Sequence, residues 1–299
     1  MKTASFLLIT ALTFTATAAS AQSVTDSTGA TDSTAVPAAE PARSTFTLGA
    51  SYMNNASYYG QKAAEKTPYV ALVASYRHKS GLYLNALGYR LLNDSSTLGS
   101  AYGLGAGYEF RLSKHLSADL SYSYSFFPKL SPFLQAASPH NTNATITHKG
   151  WMNTSIGVDY TFGKTNDVFG TLGFSKEITL FNPSEKDVVS LSPSVEVIAG
   201  TQRFYEYYVE EKRTRDSLLG LPIPPIFGGG NGGGSSTTTT TKEKTSIDLL
   251  SYNLKLPLSY SRAHYTLELA YQVSLLGDKA QTGAGNVNSF FGASFYYQF

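Results

Sequence analysis

The chain has 299 residues, 42% hydrophobic and only 15% charged, with a formal net charge of +2. That balance supplies neither a basic patch for nucleic acid nor an acidic tail, and the absence of cysteine excludes disulfides, thiolate metal sites and a lipid-modified N-terminal cysteine. Beyond the N-terminal segment no run approaches the roughly 18 consecutive apolar residues of a spanning helix, so a membrane protein of this composition would have to cross with strands, which are only half apolar.

At the N-terminus Lys2 provides a positive region, FLLITALTFTATAA an apolar core, and Ala19-Ser20-Ala21 a small-residue cleavage site. This predicts a signal peptide over residues 1–21, because the apolar core is too short and too rich in threonine to anchor as a helix. Residues 22–43 are Ser, Thr, Ala, Asp and Pro without an aromatic, and predict a disordered periplasmic leader.

From residue 44 onward the chain alternates with period two. In HLSADLSYSYSF, Leu116, Ala118, Leu120, Tyr122, Tyr124 and Phe126 oppose Ser117, Asp119, Ser121, Ser123 and Ser125. WMNTSIGVDYTF and AHYTLELAYQVSL repeat the split, with aromatics facing small polar partners rather than the charged outer face of a soluble sandwich. Short connections at His78–Gly81, Arg111–His115, Gly163–Asp167 and Ser261–His264 predict turns at one end; residues 54–66, 128–149, 211–245 and 276–286 predict loops at the other. Eleven strands follow directly, and a turn at Ala199-Gly200-Thr201, splitting SLSPSVEVI from QRFYEYYVE, restores even parity at twelve, with ten the alternative and a bulge in one long strand the competing reading of that glycine. The loop 211–245 holds PIPPIF, GGGNGGGSS and TTTTT, which resist packing, and lacks the flanking strand, helix and Lys-Ser/Thr of a phosphate cradle.

The last strand, SFFGASFYYQF, places Phe291, Ala293, Phe295, Tyr297 and Phe299 on one face and Gly292, Ser294, Tyr296 and Gln298 on the other. A terminal Phe closing an alternating aromatic strand resembles the bacterial outer-membrane β-barrels. The resemblance implies an all-β, transmembrane antiparallel barrel over residues 44–299, located in the outer membrane of a Gram-negative bacterium. It further implies that Phe291, Phe295, Tyr297 and Phe299 signal to the barrel-insertion machinery, and that the remaining partners are outer-membrane lipid and lipopolysaccharide.

Alternation assigns Glu109, Asp119, Asp159, Glu177, Glu196, Glu206 and Glu268 to the lumen wall, with Arg77, Arg111 and Lys255 as countercharges. An excess of carboxylates in a wet lumen favours cations. The competing reading pairs these groups in a closed polar network. Gly103, Gly105 and Gly107 on the inner face leave space, so the expectation is a porin-like channel for passive diffusion of small hydrophilic solutes. The alternative is a closed barrel displaying outer loops. A rim hydrolase using Ser138, His140 or His148 and a nearby Asn would sit on a floppy loop, and two His eight residues apart do not define a metal site, so neither catalysis, cofactor nor metal is expected. Phe126, Phe127, Trp151, Tyr205, Tyr207 and Tyr208 suit interfacial girdles, while Tyr69, Tyr83, Tyr89 and Tyr296 fall on the inner face too scattered to form a sugar track.

Overall fold

A computed structural model describes residues 44–62, 67–92, 101–126, 138–163, 166–201, 246–280 and 286–299. The signal peptide, the leader, the expected strand over 202–210 with Glu206, and the glycine-rich loop lie outside the described residues.

The first strands are β1 (Thr45–Met53), β2 (Tyr69–Arg77), β3 (Leu82–Leu91), β4 (Ala101–Arg111) and β5 (Leu116–Phe126). They continue with β6 (His140–His148), β7 (Asn153–Phe162), β8 (Asp167–Ser175), β9 (Ile178–Phe181) and β10 (Asp187–Leu191). The chain ends with β11 (Ser194–Thr201), β12 (Ile247–Arg262), β13 (Tyr265–Leu276), a 3-10 turn (Asp278–Ala280) and β14 (Val287–Gln298). Each strand pairs antiparallel with its neighbour, β1 pairs with β14, and β11 pairs with both β8 and β12, which closes the sheet. β12 pairs with β11 over Ile247–Lys255 and with β10 over Leu258–Arg262, so β9 and β10 are end extensions of β8 and β11. Twelve staves therefore form the wall. Closure satisfies the backbone of the twelve staves, and among the described residues the extension β9 pairs on one side, with β10.

An even count brings both ends of the barrel chain to one rim, here termed the terminal end; the opposite rim is the far end. The short turns at 78–81, 112–115, 149–152 and 263–264 lie at the terminal end, and the connection 54–68 at the far end. Two expectations are corrected by β6. HNTNATITH was expected inside a loop at 128–149, yet it pairs with β5 and β7 along its whole length. Its outer face holds only Thr142, Ala144 and Ile146 between two histidines, so the apolar alternation is faint, and backbone pairing on both sides forms the strand instead. This added strand moves the turn at 163–166 to the far end, where the sequence had placed it with the terminal turns. In place of the turn expected at Ala199-Gly200-Thr201 the competing long strand is found: β11 pairs through Ala199 and Gly200 with Gly170 and Phe169 on one side, and on the other with β12, where the register shifts between Ile198 and Ala199. Twelve staves stand, with β6 as the stave that sequence patterning had sought after residue 201.

Glycines on the inner face have a packing role that explains several of them. Gly49 pairs with Tyr296, Gly107 with Tyr83 and Gly200 with Phe169, and in each pair a methyl group on the glycine would overlap the aromatic ring. The rings thus lie across the wall instead of standing into the lumen.

Candidate functional site

The outer face of the barrel is apolar. Leu72 is 66% exposed, Leu104 55% and Ile156 61%, although all three sit mid-strand where a soluble sheet would bury them. Exposed aromatics flank this belt, with Phe46, Tyr76, Tyr108, Phe110 and Phe299 near the terminal end and Tyr52, Tyr102, Phe126 and Tyr252 near the far end. Such rings suit the two interfaces of a bilayer. Of the other girdle candidates, Trp151 is exposed in the terminal turn beneath Lys176, while Phe127, Tyr205, Tyr207 and Tyr208 lie outside the described residues.

The inner face is polar toward the terminal end, and the predicted wall residues gather there. Arg77 bonds Glu109 at 2.5 Å and lies 4.9 Å over the Tyr83 ring, whose hydroxyl donates to Asp119 at 2.8 Å. Register creates this group, since Tyr83 pairs with Arg77 and Glu109 with Asp119. Across the barrel Lys255 bonds Glu196 at 2.7 Å, and Ser259 donates to Glu268 at 3.4 Å. The side chains of Arg77, Glu109, Lys255 and Glu196 are 31, 32, 39 and 23% exposed while facing inward, so water reaches this half of the lumen. Asp119 and Glu268 are each the fourth residue of a stave, and β5 and β13 are six staves apart in either direction around the ring. They therefore face each other across the lumen, each held by a neutral hydroxyl.

Three wall candidates differ. Glu177 is exposed in the link between β8 and β9, off the lumen, because the pairing of β8 with β7 and with β11 stops at Ser175, two residues before it. Arg111 ends β4, exposed at the terminal rim. Asp159 does face inward but deeper, 4% exposed, accepting from Asn143 at 3.0 Å.

Residues 54–62 of the first loop, expected outside the barrel, enter the far half of the lumen. Tyr58, Tyr59 and Ala56 are buried, and Tyr58 and Tyr59 pack with Phe169 of β8, Ile198 of β11, Leu250 of β12, Leu276 of β13 and Ala280 of the 3-10 turn. The tip is a tight turn: Tyr58 and Gln61 pair through two backbone hydrogen bonds, Gly60 N–H bonds Ser57 Oγ at 3.2 Å, and Tyr59 and Gly60 have φ of 47° and 86°. Ser251 Oγ donates to Tyr59 O at 2.7 Å and Asn288 Nδ2 to Gly60 O at 2.9 Å, tying the tip to β12 and β14. At the loop's base Asn55 accepts from Thr67 through both its backbone and its hydroxyl. Burial pushes the Tyr58 and Tyr59 phenols well above the ordinary tyrosine range, with Asp167 and then Asp159 adding for Tyr58, and Asp159 first for Tyr59. The Tyr59 hydroxyl lies beside Asp159 without a hydrogen bond of regular geometry. Beside the loop, Tyr69, Ala71, Tyr89, Leu91 and Ala101 form a second apolar cluster between β2, β3 and β4, which uses two of the inner-face tyrosines. The signal that could have found the plug was a Tyr-Tyr-Gly run in a segment otherwise made of Asn, Ser, Ala and Gln.

The histidines do not assemble. His140 and His148 occupy opposite ends of β6, about 26 Å apart at the rise of a strand. His140 faces outward, stacked on Phe162 at 4.7 Å and bonded to the Tyr122 hydroxyl at 2.8 Å, while His148 neighbours His115 at the terminal rim. The loop triad and the histidine pair considered from sequence are thus taken apart by a strand.

A closed barrel with an apolar belt outside and a polar vestibule inside is a transmembrane β-barrel. No family model matches the chain, and no curated protein matches it. Among solved structures it is similar to the KdgM porin (TM-score 0.43, 9% identity, 85% of this chain and 99% of that one). It is also similar to the NanC porin (TM-score 0.44, 8% identity, 84% and 98%) and to an outer membrane channel from Pseudomonas putida F1 (TM-score 0.45, 12% identity, 87% and 96%).

Proposed function

We propose that this chain is an outer-membrane channel through which small hydrophilic solutes diffuse passively, with a preference for cations and with its first loop as the constriction. The observation that carries this reading is the water-accessible polar vestibule of Arg77, Glu109, Asp119, Glu196, Lys255 and Glu268 inside an apolar outer belt. Two ion pairs cancel within it, while Asp119 and Glu268 are met by neutral donors, which supports the cation preference. Short turns together with both termini suit the periplasmic rim, so the far end, with its plug, faces outward. Export by the signal peptide of residues 1–21 and assembly through Phe291, Phe295, Tyr297 and Phe299 belong to the same reading. Phe299 packs 5.8 Å from Phe46 and its N–H bonds Phe46 O at 2.8 Å, so it completes the seam between β14 and β1.

The buried Tyr58-Tyr59 tip favours a second reading, a barrel shut at its outward mouth that serves as a scaffold for its loops. Current across planar bilayers separates the two. The channel reading expects discrete steps from the wild type that grow in a Tyr58→Ala/Tyr59→Ala variant; a folded barrel silent in both forms sinks it.

A further inference from the structure

The outer face carries one feature that neither the vestibule nor the girdles use. A groove of about 600 Å³ crosses β1 to β5, with Ala74, Ala86 and Gly88 as its floor and Leu48, Leu72, Tyr102, Leu104 and Phe126 among its walls. Ala74 pairs with Ala86, Leu72 with Gly88 and Gly88 with Tyr102, so three small residues on adjoining staves leave a trough of missing side-chain volume between large ones. All of these face the bilayer, where hydrocarbon is the available filling.

Arg90 stands two residues beyond Gly88 on the same face, next to last in β3, exposed between buried Tyr89 and Leu91. Inner positions on either side of it are packed, so its side chain cannot turn into the lumen. Among the described residues it is the one charged side chain on the outer face of a stave at the far end. A guanidinium just above the aromatic girdle lies at the depth of lipid headgroups and presents a planar fork that matches phosphate.

We propose that Arg90 and the groove beneath it form a binding site for a phosphorylated, acylated glycolipid of the outer leaflet, with a phosphate on the guanidinium and one acyl chain along Ala74, Ala86 and Gly88. The proposal rests on the outward placement of the far end given above. It matches two chemistries in one molecule, a charge at the interface and an apolar groove whose floor begins two residues below it at Gly88.

The folded barrel in mild detergent, its closure checked by heat-shifted gel mobility, is mixed with lipid A, with dephosphorylated lipid A or with phosphatidylglycerol, and retained lipid is read by native mass spectrometry. A single lipid A adduct is expected, with about tenfold less retained for Arg90→Gln, for Ala86→Phe, and for the dephosphorylated lipid. Both substitutions point into lipid, so the barrel folds in each. Equal retention of phosphatidylglycerol overturns the glycolipid assignment, and retention unchanged in Arg90→Gln overturns the site. Fractionation of the protein with the inner membrane would instead remove the location on which the proposal stands, and an absence of channel current does not enter this measurement.

Discussion

The ring of Tyr59 lies on the ring of Phe169 at 4.1 Å and 21° between planes, which fastens the loop after β1 to a stave on the opposite side of the barrel. Phe169 is fully buried, covered by Tyr58 at 5.6 Å edge-on and backed by Gly200. Removing Tyr59 or Phe169 to alanine therefore deletes the contact that seats the plug. Phe169→Ala should cost roughly 3–5 kcal/mol of barrel stability, the usual range for a buried phenylalanine. Tyr59→Ala, in a loop, should spare the barrel but raise conductance severalfold. Unchanged conductance in a folded Tyr59→Ala barrel would show that the loop does not limit passage.

The seated plug should also weaken at strongly alkaline pH. Tyr58 and Tyr59 keep their protons when buried, whereas a released tyrosine ionises near pH 10. Above that pH the released loop binds fewer protons than the docked one, so docking is at full strength below about pH 10 and loses roughly 1.4 kcal/mol per pH unit for each tyrosine above it. Channel current should rise through this window. The Tyr58→Phe/Tyr59→Phe variant should lose the alkaline response, and a response that persists in it would assign the effect to other groups.

Asp119 and Glu268 face each other across the vestibule without a full countercharge of their own. Asp119→Asn and Glu268→Gln should each lower the cation to anion permeability ratio by roughly twofold, and the double variant more, as read from reversal potentials in a salt gradient. Glu109→Gln should act in the same direction, because it frees the positive charge of Arg77. A ratio near one in the wild type would remove the preference.

Gly107→Val forces its new side chain into the Tyr83 ring and pushes that ring from Asp119 and from Arg77. A cost of about 1–3 kcal/mol is expected, seen as a lower midpoint in heat-shifted mobility. Gly105→Ala provides the contrast, since its methyl group meets Ser123 Cβ and Tyr122 O at an ordinary 3.4 Å. Equal midpoints for the two variants would contradict the ring-over-glycine account.

Period-two alternation decided most of the fold from sequence, because a stave between lipid and lumen must present two chemically different faces. That is why β5, β7, β13 and β14, and the inward direction of Glu109, Asp119, Glu196 and Glu268, were legible. β6 was not, since Thr and Ala on its outer face and Asn and Thr on its inner face barely differ, and its strand is made by the backbones of β5 and β7. Gly200 read as a turn because a glycine supplies freedom wherever it stands; only the ring of Phe169 on the next stave shows that it supplies space. The amino-acid order alone thus fixed that this chain is a barrel with an apolar outside and acidic residues within, through contacts set by neighbours one and two positions away. The pairing of Arg77 with Glu109, the opposition of Asp119 and Glu268, and the entry of Tyr58 and Tyr59 into the lumen were decided by tertiary structure. They join residues far apart in the chain, and the register and closure that bring them together are properties of the whole ring rather than of any strand.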